Sequence, residues 1–245
     1  MNLIALRGLP IVKKGDDIAQ LIAHAANGQV KIENGDIIVV AQSIVSKAEG
    51  NVYDLREINP SPRAIEIGKK MGRDPRKIEL ILRESTEIVR QAHVLITRTK
   101  HGFVCANAGV DSSNVDEDHA TTLPEDPDAS ARRIRERIKD ILGVDVAVII
   151  SDTHGRPFRK GAAGVAIGVA GMEPLWDLRD KRDLYGKKLT STIFAAADSF
   201  AAAATIVMGE TNEGTPVVII KGAKYKPGDG RATDLVRPRE HDLFL

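Results

Sequence analysis

Apolar positions along the chain fall into short continuous runs and helical stripes. Ile37-Ile38-Val39-Val40-Ala41 follows the turn residues Asn34-Gly35-Asp36 and reads as a buried strand. Val146 to Ile150, Val165 to Val169 and Val217 to Ile220 read the same way. Val94-Leu95-Ile96-Thr97 and Phe103-Val104-Cys105-Ala106 flank Lys100-His101-Gly102, which predicts a hairpin. Asp16 precedes a stripe of Ile18, Leu21, Ile22 and Ala25. Ser61-Pro62 caps a second helix that Gly72 can end. Asp74-Pro75 repeats the start signal for a helix reaching about Val89. Asp128 opens a helix through Ile134, Ile138 and Ile141, stopped by Gly143, with a solvated face of Arg132, Arg133, Arg135, Arg137 and Lys139. An Ala-rich helix from Ile193 to Met208 sets Ile193, Ala197, Phe200, Ala204 and Val207 on one face, as core or subunit interface. Strands and helices intersperse with few regular βαβ alternations. The expectation is an α+β protein, mixed sheets with packed helices, forming one catalytic unit over 1–245 with room for two interleaved subdomains.

Composition narrows the classes. The 245 residues are 42% hydrophobic and 28% charged, ordinary for a globular chain that buries enough surface to fold without staples. With 35 basic against 34 acidic residues, neither a nucleic-acid coat nor a polybasic membrane protein is indicated. Aromatics at 4% are too few for a stacking platform along single strands. The single cysteine, Cys105, excludes an intrachain disulfide and Cys-rich zinc modules, which fits a reducing cytoplasm. Met1 to Val12 lacks the layout of a signal peptide, and Ile193 to Met208 is too short and weakly apolar for a membrane span.

The sequence holds no G-x-x-x-x-G-K-[ST], strand-linked G-x-G-x-x-G, H-E-x-x-H or G-x-S-x-G. The glycines of 161–168 read as permitting close backbone packing. The candidate chemistry lies in acidic and amide residues at element ends. Asp152 follows the strand Val146–Ile150, and Thr153, His154, Arg156, Arg159 and Lys160 come next. A carboxylate, a hydroxyl and cations suit a Mg²⁺– or Mn²⁺–phosphate arrangement, although Asp after a strand is also a good turn residue. In the loop 107–114, Asp111 offers a second carboxylate and Asn114 a ligand donor; the segment also reads as an Asx-rich turn. Met208-Gly209-Glu210-Thr211-Asn212-Glu213-Gly214-Thr215 adds a third carboxylate between glycines, or a helix cap and a solvated loop. Gln42-Ser43-Ile44-Val45-Ser46-Lys47 leaves the first buried strand, and Lys47 suits phosphate or reads as a surface cation.

Gly8-Leu9-Pro10, Ser46-Lys47-Ala48-Glu49-Gly50, Asn107 to Asn114, Asp152 to Arg159, Asp183-Leu184-Tyr185-Gly186 and Met208-Gly209-Glu210 occur in one order. That ordered set resembles the coenzyme F420-0:L-glutamate ligase family, from about Leu6 to Gly222. The resemblance implies a GTP-dependent ligase adding glutamates to the deazaflavin precursor coenzyme F420-0, the second through a γ-linkage. It implies two divalent ions, Mg²⁺ or Mn²⁺, a monovalent K⁺, and an intertwined homodimer with a family-specific ligase fold. By the same carry-over, Asp111, Asp152, Thr153 and Glu210 are metal ligands. Leu9, Pro10, Ile11, Val12, Gln42, Ser43, Lys47, Asn114 and the stretch Met208, Gly209, Glu210, Thr211, Asn212, Glu213, Gly214 and Thr215 are GTP contacts.

Amide formation needs an activated acyl group, and an acyl phosphate on the precursor's terminal carboxylate is the simplest route. The reacting carboxylate and the γ-phosphate repel unless cations neutralise them, which gives the three carboxylates their expected role. Asp152 and Arg156 are the expected catalytic pair, Arg156 as a clamp on phosphate or anionic substrate, chosen on charge. His154 reads as structural more readily than as a base. Trp176, Tyr185 and Phe158 could stack on a deazaflavin, though each reads first as core. The same carboxylates and cations also suit a metal-dependent phosphohydrolase or a non-catalytic nucleotide- or deazaflavin-binding protein.

Overall fold

The computed structural model describes residues 1–242. In chain order the elements are β1 (Asn2–Ala5), α1 (Ile18–Ala26), β2 (Ile37–Ala41), α2 (Gln42–Glu49), β3 (Val52–Asp54), α3 (Pro62–Met71), α4 (Pro75–Arg83), β4 (Ser85–Gln91), β5 (Leu95–Thr99), β6 (Val104–Ala106), β7 (His119–Thr121), α5 (Pro127–Leu142), β8 (Ala147–Arg156), β9 (Arg159–Ala170), β10 (Leu175–Asp177), β11 (Ile193–Ala195), α6 (Ala196–Met208) and β12 (Val217–Lys221).

The apolar runs form a five-stranded sheet in the order β1-β12-β2-β8-β9. Only β2 and β8 are parallel; the other neighbours are antiparallel. The residues Ile37–Val40, Ala147–Ile150 and Val217–Ile220 are fully buried, so both faces of the sheet are covered. The helix α6 lies across β1, β12, β2, β8 and β9, and α5, packed on α1, supplies cover against β8 and β9. Gly164 of β9 shows how closely α6 approaches: a Cβ there would sit 2.1 Å from Thr205 Oγ1 and 2.7 Å from the Ala201 carbonyl oxygen. The close packing expected of the 161–168 glycines is realised at this contact. A second, smaller core gathers Leu55, Ile58, Ala64, Ile67, Ile78, Leu80, Ile81 and Leu95 under α3, α4 and the sheet β4-β5-β6. The α+β expectation holds. Among the described residues, no helix is long and apolar enough to cross a membrane.

The expected caps at Ser61 and Asp74 hold, each side chain accepting a first-turn N–H, and Gly72 and Gly143 end their helices in the left-handed conformation. Five boundaries differ. The cap of α1 is Asp17, which accepts from the Gln20 N–H. That of α5 is Asp126, so Asp128 lies inside the first turn; its Oδ1 accepts from the Val169 and Ala232 N–H groups and ties α5 to β9 and to the later chain. The helix expected to reach Val89 stops at Arg83, because Ser85–Gln91 pairs with β5 and puts Ile88 against the second core. Tertiary pairing overrides the helical period there. Ile193 likewise belongs to β11, paired with β10, and α6 begins at Ala196. The strand containing Val146–Ile150 continues to Arg156, so Asp152 lies inside a strand instead of just beyond one. The basic face of α5 is largely solvated, with Arg137 donating to Asp17 and Arg135 to Asp145.

Candidate functional site

Three of the singled-out segments leave the five-stranded sheet at one edge, beside a fourth, residues 152–153, where β8 runs on past the end of β2. The Leu6 N–H donates to the Val217 carbonyl at 2.9 Å and the Ala41 N–H to the Pro216 carbonyl at 2.8 Å, while Ala41 stands beside Ser151 in the parallel pair. The chain from Leu6 to Val12, the start of α2, residues 152–153 and the loop 209–216 therefore meet at the carboxyl end of β2, where Ser151 of β8 stands beside Ala41. Ligands of open sheets containing parallel strands bind at such edges. Helix α2 begins there with Ala41 at its cap and no side chain capping it, leaving first-turn N–H groups for an anion.

Within this edge the side chains differ in what they can do. Val12 is buried in the core and can present only backbone; Leu9 is half-buried, and Pro10 and Ile11 are exposed. Gln42 is buried, its amide donating to Ser46 Oγ at 2.7 Å and the Thr122 carbonyl at 3.1 Å, so its side chain ties α2 to the chain just after β7. Ser43 is half-exposed in the first turn. In the loop after α6, Thr215 Oγ1 donates to the Met208 carbonyl at 2.8 Å, and the Thr211 N–H and hydroxyl donate to Glu213. Hydrogen bonds from backbone N–H groups hold the Glu213 carboxyl below its usual range. Gly209, at φ +79°, makes room for that fold-back: a Cβ there would meet the Glu213 carboxyl carbon at 2.2 Å. Thr211, Asn212, Glu213 and Gly214 are exposed.

Glu210 points elsewhere: its Oε1 accepts from Thr153 Oγ1 at 3.0 Å. Thr153 stands opposite Gly164, whose missing side chain would face α6, so the Thr153 hydroxyl is on the α6 side of the β8–β9 ribbon. Successive strand residues point to opposite faces, which turns Asp152 and His154 the other way. There the His154 Nε2 donates to Asp152 Oδ2 at 3.0 Å, and the buried Cys105 also interacts with the ring. Burial opposes the charged imidazole, but the Asp152 and Cys105 interactions outweigh it and raise its pKa to about 10. Arg156 sits at the exposed hairpin end, roughly 13 Å along the strand from Asp152, and its guanidinium donates to the Lys160 carbonyl.

Asp111 belongs to a second cluster beside α2. Its backbone exchanges two hydrogen bonds with Thr121, and its carboxylate accepts from Ser113 Oγ. Lys47 Nζ donates to the Asn114 carbonyl, and Lys77 Nζ to Ser112 Oγ at 2.9 Å. Burial lowers the pKa of both lysines against the attraction of Asp111. Lys47 is thus half-buried and engaged, not a free surface cation. Asn114 offers its carbonyl to Lys47 and adopts a left-handed φ of 54°.

Thr153 and Glu210 are in direct contact, and the segments 9–12, 42–43, 152–153 and 208–215 share one edge. Among the described residues, no group of three or more His, Cys, Asp or Glu side chains is assembled to hold a metal, so Asp111, Asp152 and Glu210 do not form a finished cage in a single chain. The donors themselves, three carboxylates and a hydroxyl, are hard oxygens that fit Mg²⁺ or Mn²⁺ better than a soft-ligand metal. Asp152 and Thr153 present their side chains on opposite faces of the β8–β9 ribbon. Sequence reasoning missed Lys77, which no local pattern connects to Asp111. It also missed the Asp152–His154 pair, whose i, i+2 spacing on a strand was the available signal. Of the aromatics read as core, Phe158 is 93% and Tyr185 98% exposed, while Trp176 packs partly buried on the main core.

Comparison with known proteins agrees with the ordered motifs. The family described as F420-0:Gamma-glutamyl ligase matches residues 8–222. A protein of Methanothermobacter thermautotrophicus named coenzyme F420:L-glutamate ligase is 53% identical over 100% of this chain and 98% of its own length. Proteins of the same name from Methanocaldococcus jannaschii and Methanopyrus kandleri are 51% and 48% identical, covering 96% and 95% of this chain and 94% and 93% of their own lengths. With its ordered motifs meeting at one sheet edge and identity running over nearly its whole length, the chain belongs to the F420-0:gamma-glutamyl ligase family.

Proposed function

We propose that this chain is a GTP-dependent ligase that adds L-glutamate to coenzyme F420-0, a second residue entering by γ-linkage, with GDP and phosphate as products. The observation that carries the reading is the shared edge. There an uncapped helix start, the loop 208–215 and the Thr153–Glu210 pair surround the carboxyl end of β2 beside Ser151 of β8. The α2 N–H groups suit the nucleotide's phosphates, with Lys47 one turn further along the helix. The segments 9–12 and 208–215 offer backbone to the rest of GTP.

Asp111, Asp152, Thr153 and Glu210 would hold two divalent ions, Mg²⁺ or Mn²⁺, with K⁺ alongside. Bound there, the ions would neutralise the repulsion between the γ-phosphate and the precursor's carboxylate. That carboxylate attacks the γ-phosphorus and GDP leaves. The glutamate amine then attacks the acyl phosphate, an amide forms and phosphate departs. Arg156, at the hairpin end, is suited to an anionic part of the substrate remote from the metals. A homodimer accompanies this reading: exposed Leu184, Tyr185, Ile193 and Phe194 give apolar surface for a second copy, which could complete a set of donors that one chain leaves apart. The setting is the cytoplasm.

The test is incubation with GTP, Mn²⁺, glutamate and coenzyme F420-0, read by mass, with ATP in a parallel arm. A gain of one or two glutamyl units, faster with GTP, is expected. Phosphate release without that gain marks a phosphohydrolase, and stable binding without turnover marks a binding protein.

A further inference from the structure

His154 is built into the structure more firmly than a side chain in a solvated turn would be. It shares a strand face with Asp152, and the Nε2···Oδ2 bond is 3.0 Å. An ionised carboxylate only accepts, so the proton of this bond is on His154 Nε2. The imidazole side chain is 13% exposed and the Asp152 side chain 22%. Behind the ring stands Cys105, itself buried, on the strand β6 that packs against β8. Ring and carboxylate are therefore clamped where the three-stranded and five-stranded sheets meet. Asp152 Oδ2 is committed to the imidazole, and Oδ1 is left for another partner.

We propose that His154 is a positioning residue that fixes the Asp152 carboxylate for a divalent cation, with Cys105 backing the ring. The inference rests on the reading of Asp152 as a metal ligand. It gives His154 a place outside the chemical steps, because the Nε2 proton is held by the carboxylate and the ring is largely buried. Partners of a ligating carboxylate limit its orientations, and their loss typically weakens metal binding about 10–100-fold.

The experiment compares the full-length wild type with His154→Ala, His154→Gln and Asp152→Asn. Binding of Mn²⁺ alone is measured by the electron paramagnetic resonance signal of free Mn²⁺, and glutamate addition is followed as Mn²⁺ is varied. A Gln side chain keeps an N–H donor near the Nε2 position, so it should rescue what Ala loses. Expected are an Mn²⁺ affinity about 10-fold or more weaker in His154→Ala, a matching rise in the Mn²⁺ concentration for half-maximal rate, a smaller fall in kcat, and recovery of most of the affinity in His154→Gln. Wild-type Mn²⁺ affinity in His154→Ala, with affinity lost in Asp152→Asn, would overturn the positioning role and leave the metal reading standing. Undiminished Mn²⁺ affinity in Asp152→Asn would overturn the metal reading and this inference with it. A drop in kcat alone, equal in the Ala and Gln variants and accompanied by loss of a limb of the pH–rate profile, would make His154 a proton-transfer group and overturn the proposal.

Discussion

Thr153 and Glu210, 57 positions apart in sequence, are joined by a 3.0 Å hydrogen bond from the threonine hydroxyl to the glutamate carboxylate. The bond links β8 to the loop that follows α6, and so fixes where that loop stands over the edge of the sheet. Glu210 is exposed, so its replacement should touch function far more than folding. We expect Glu210→Gln to lower kcat/KM for glutamate addition about 100-fold or more, the scale for losing a charge that stabilises a transition state. Its denaturant midpoint should stay within the small range of surface substitutions. Steady-state kinetics and urea titration on the same preparation check both halves.

Asp152→Asn keeps the shape of the side chain and an oxygen for the His154 N–H, but removes the negative charge. Glutamate addition should fall to background while the circular dichroism spectrum stays close to wild type and the melting temperature falls, because the nearly buried imidazole loses its charged partner. Near-normal turnover with Mn²⁺ present would exclude Asp152 as a metal ligand.

Gly164→Ala probes the packing that supports the site from below. A Cβ at that position would overlap Thr205 Oγ1 and the Ala201 backbone, which cannot withdraw without moving α6. A loss of about 1–3 kcal/mol is expected, the cost of overpacking. Urea denaturation measures it, and the unfolding slope should be unchanged.

Asp128 sets a pH dependence that has nothing to do with catalysis. Burial raises its pKa above the ordinary 3.8, even though the N–H groups of Ala232 and Val169 pull the other way. A carboxyl whose folded pKa is raised contributes stability that is fully present below 3.8 and is lost as pH rises through the raised value. In Asp128→Asn the amide oxygen can accept the same two N–H bonds and does not ionise. The melting temperature of the variant relative to wild type should therefore climb as pH rises above the ordinary 3.8 and level off once Asp128 is ionised in the folded protein. A difference that stays flat across that interval would contradict this account of Asp128.

Much of this architecture was legible in the sequence because its signals are local. Ser61-Pro62, Asp74-Pro75 and Gly143 act through their own backbone neighbours, and runs such as Ile37–Val40 can be buried on both faces only inside a sheet. The failures came where a distant partner decides. Residues 85–91 carry enough helical period to extend α4 on paper, but β5 claims them as a strand. Residues 151–156 are too polar to read as strand, and pairing with β9 makes them one. The site divides in the same way. Gly209, Glu210 and Asp152 could be picked out as residue types at element ends. The Lys77–Ser112 contact and the Cys105–His154–Asp152 chain exist only once separate elements have packed.

The central claim, activation of the precursor's carboxylate by GTP for attack by glutamate, is tested most directly with an isotope. Coenzyme F420-0 carrying ¹⁸O in its terminal carboxylate is incubated with the protein, GTP, Mn²⁺ and glutamate, and all products are read by mass spectrometry. The account predicts a glutamyl adduct, GDP, and one ¹⁸O atom transferred to inorganic phosphate for each amide formed. Phosphate released without a glutamyl adduct, or an adduct formed with GMP and pyrophosphate, would contradict it.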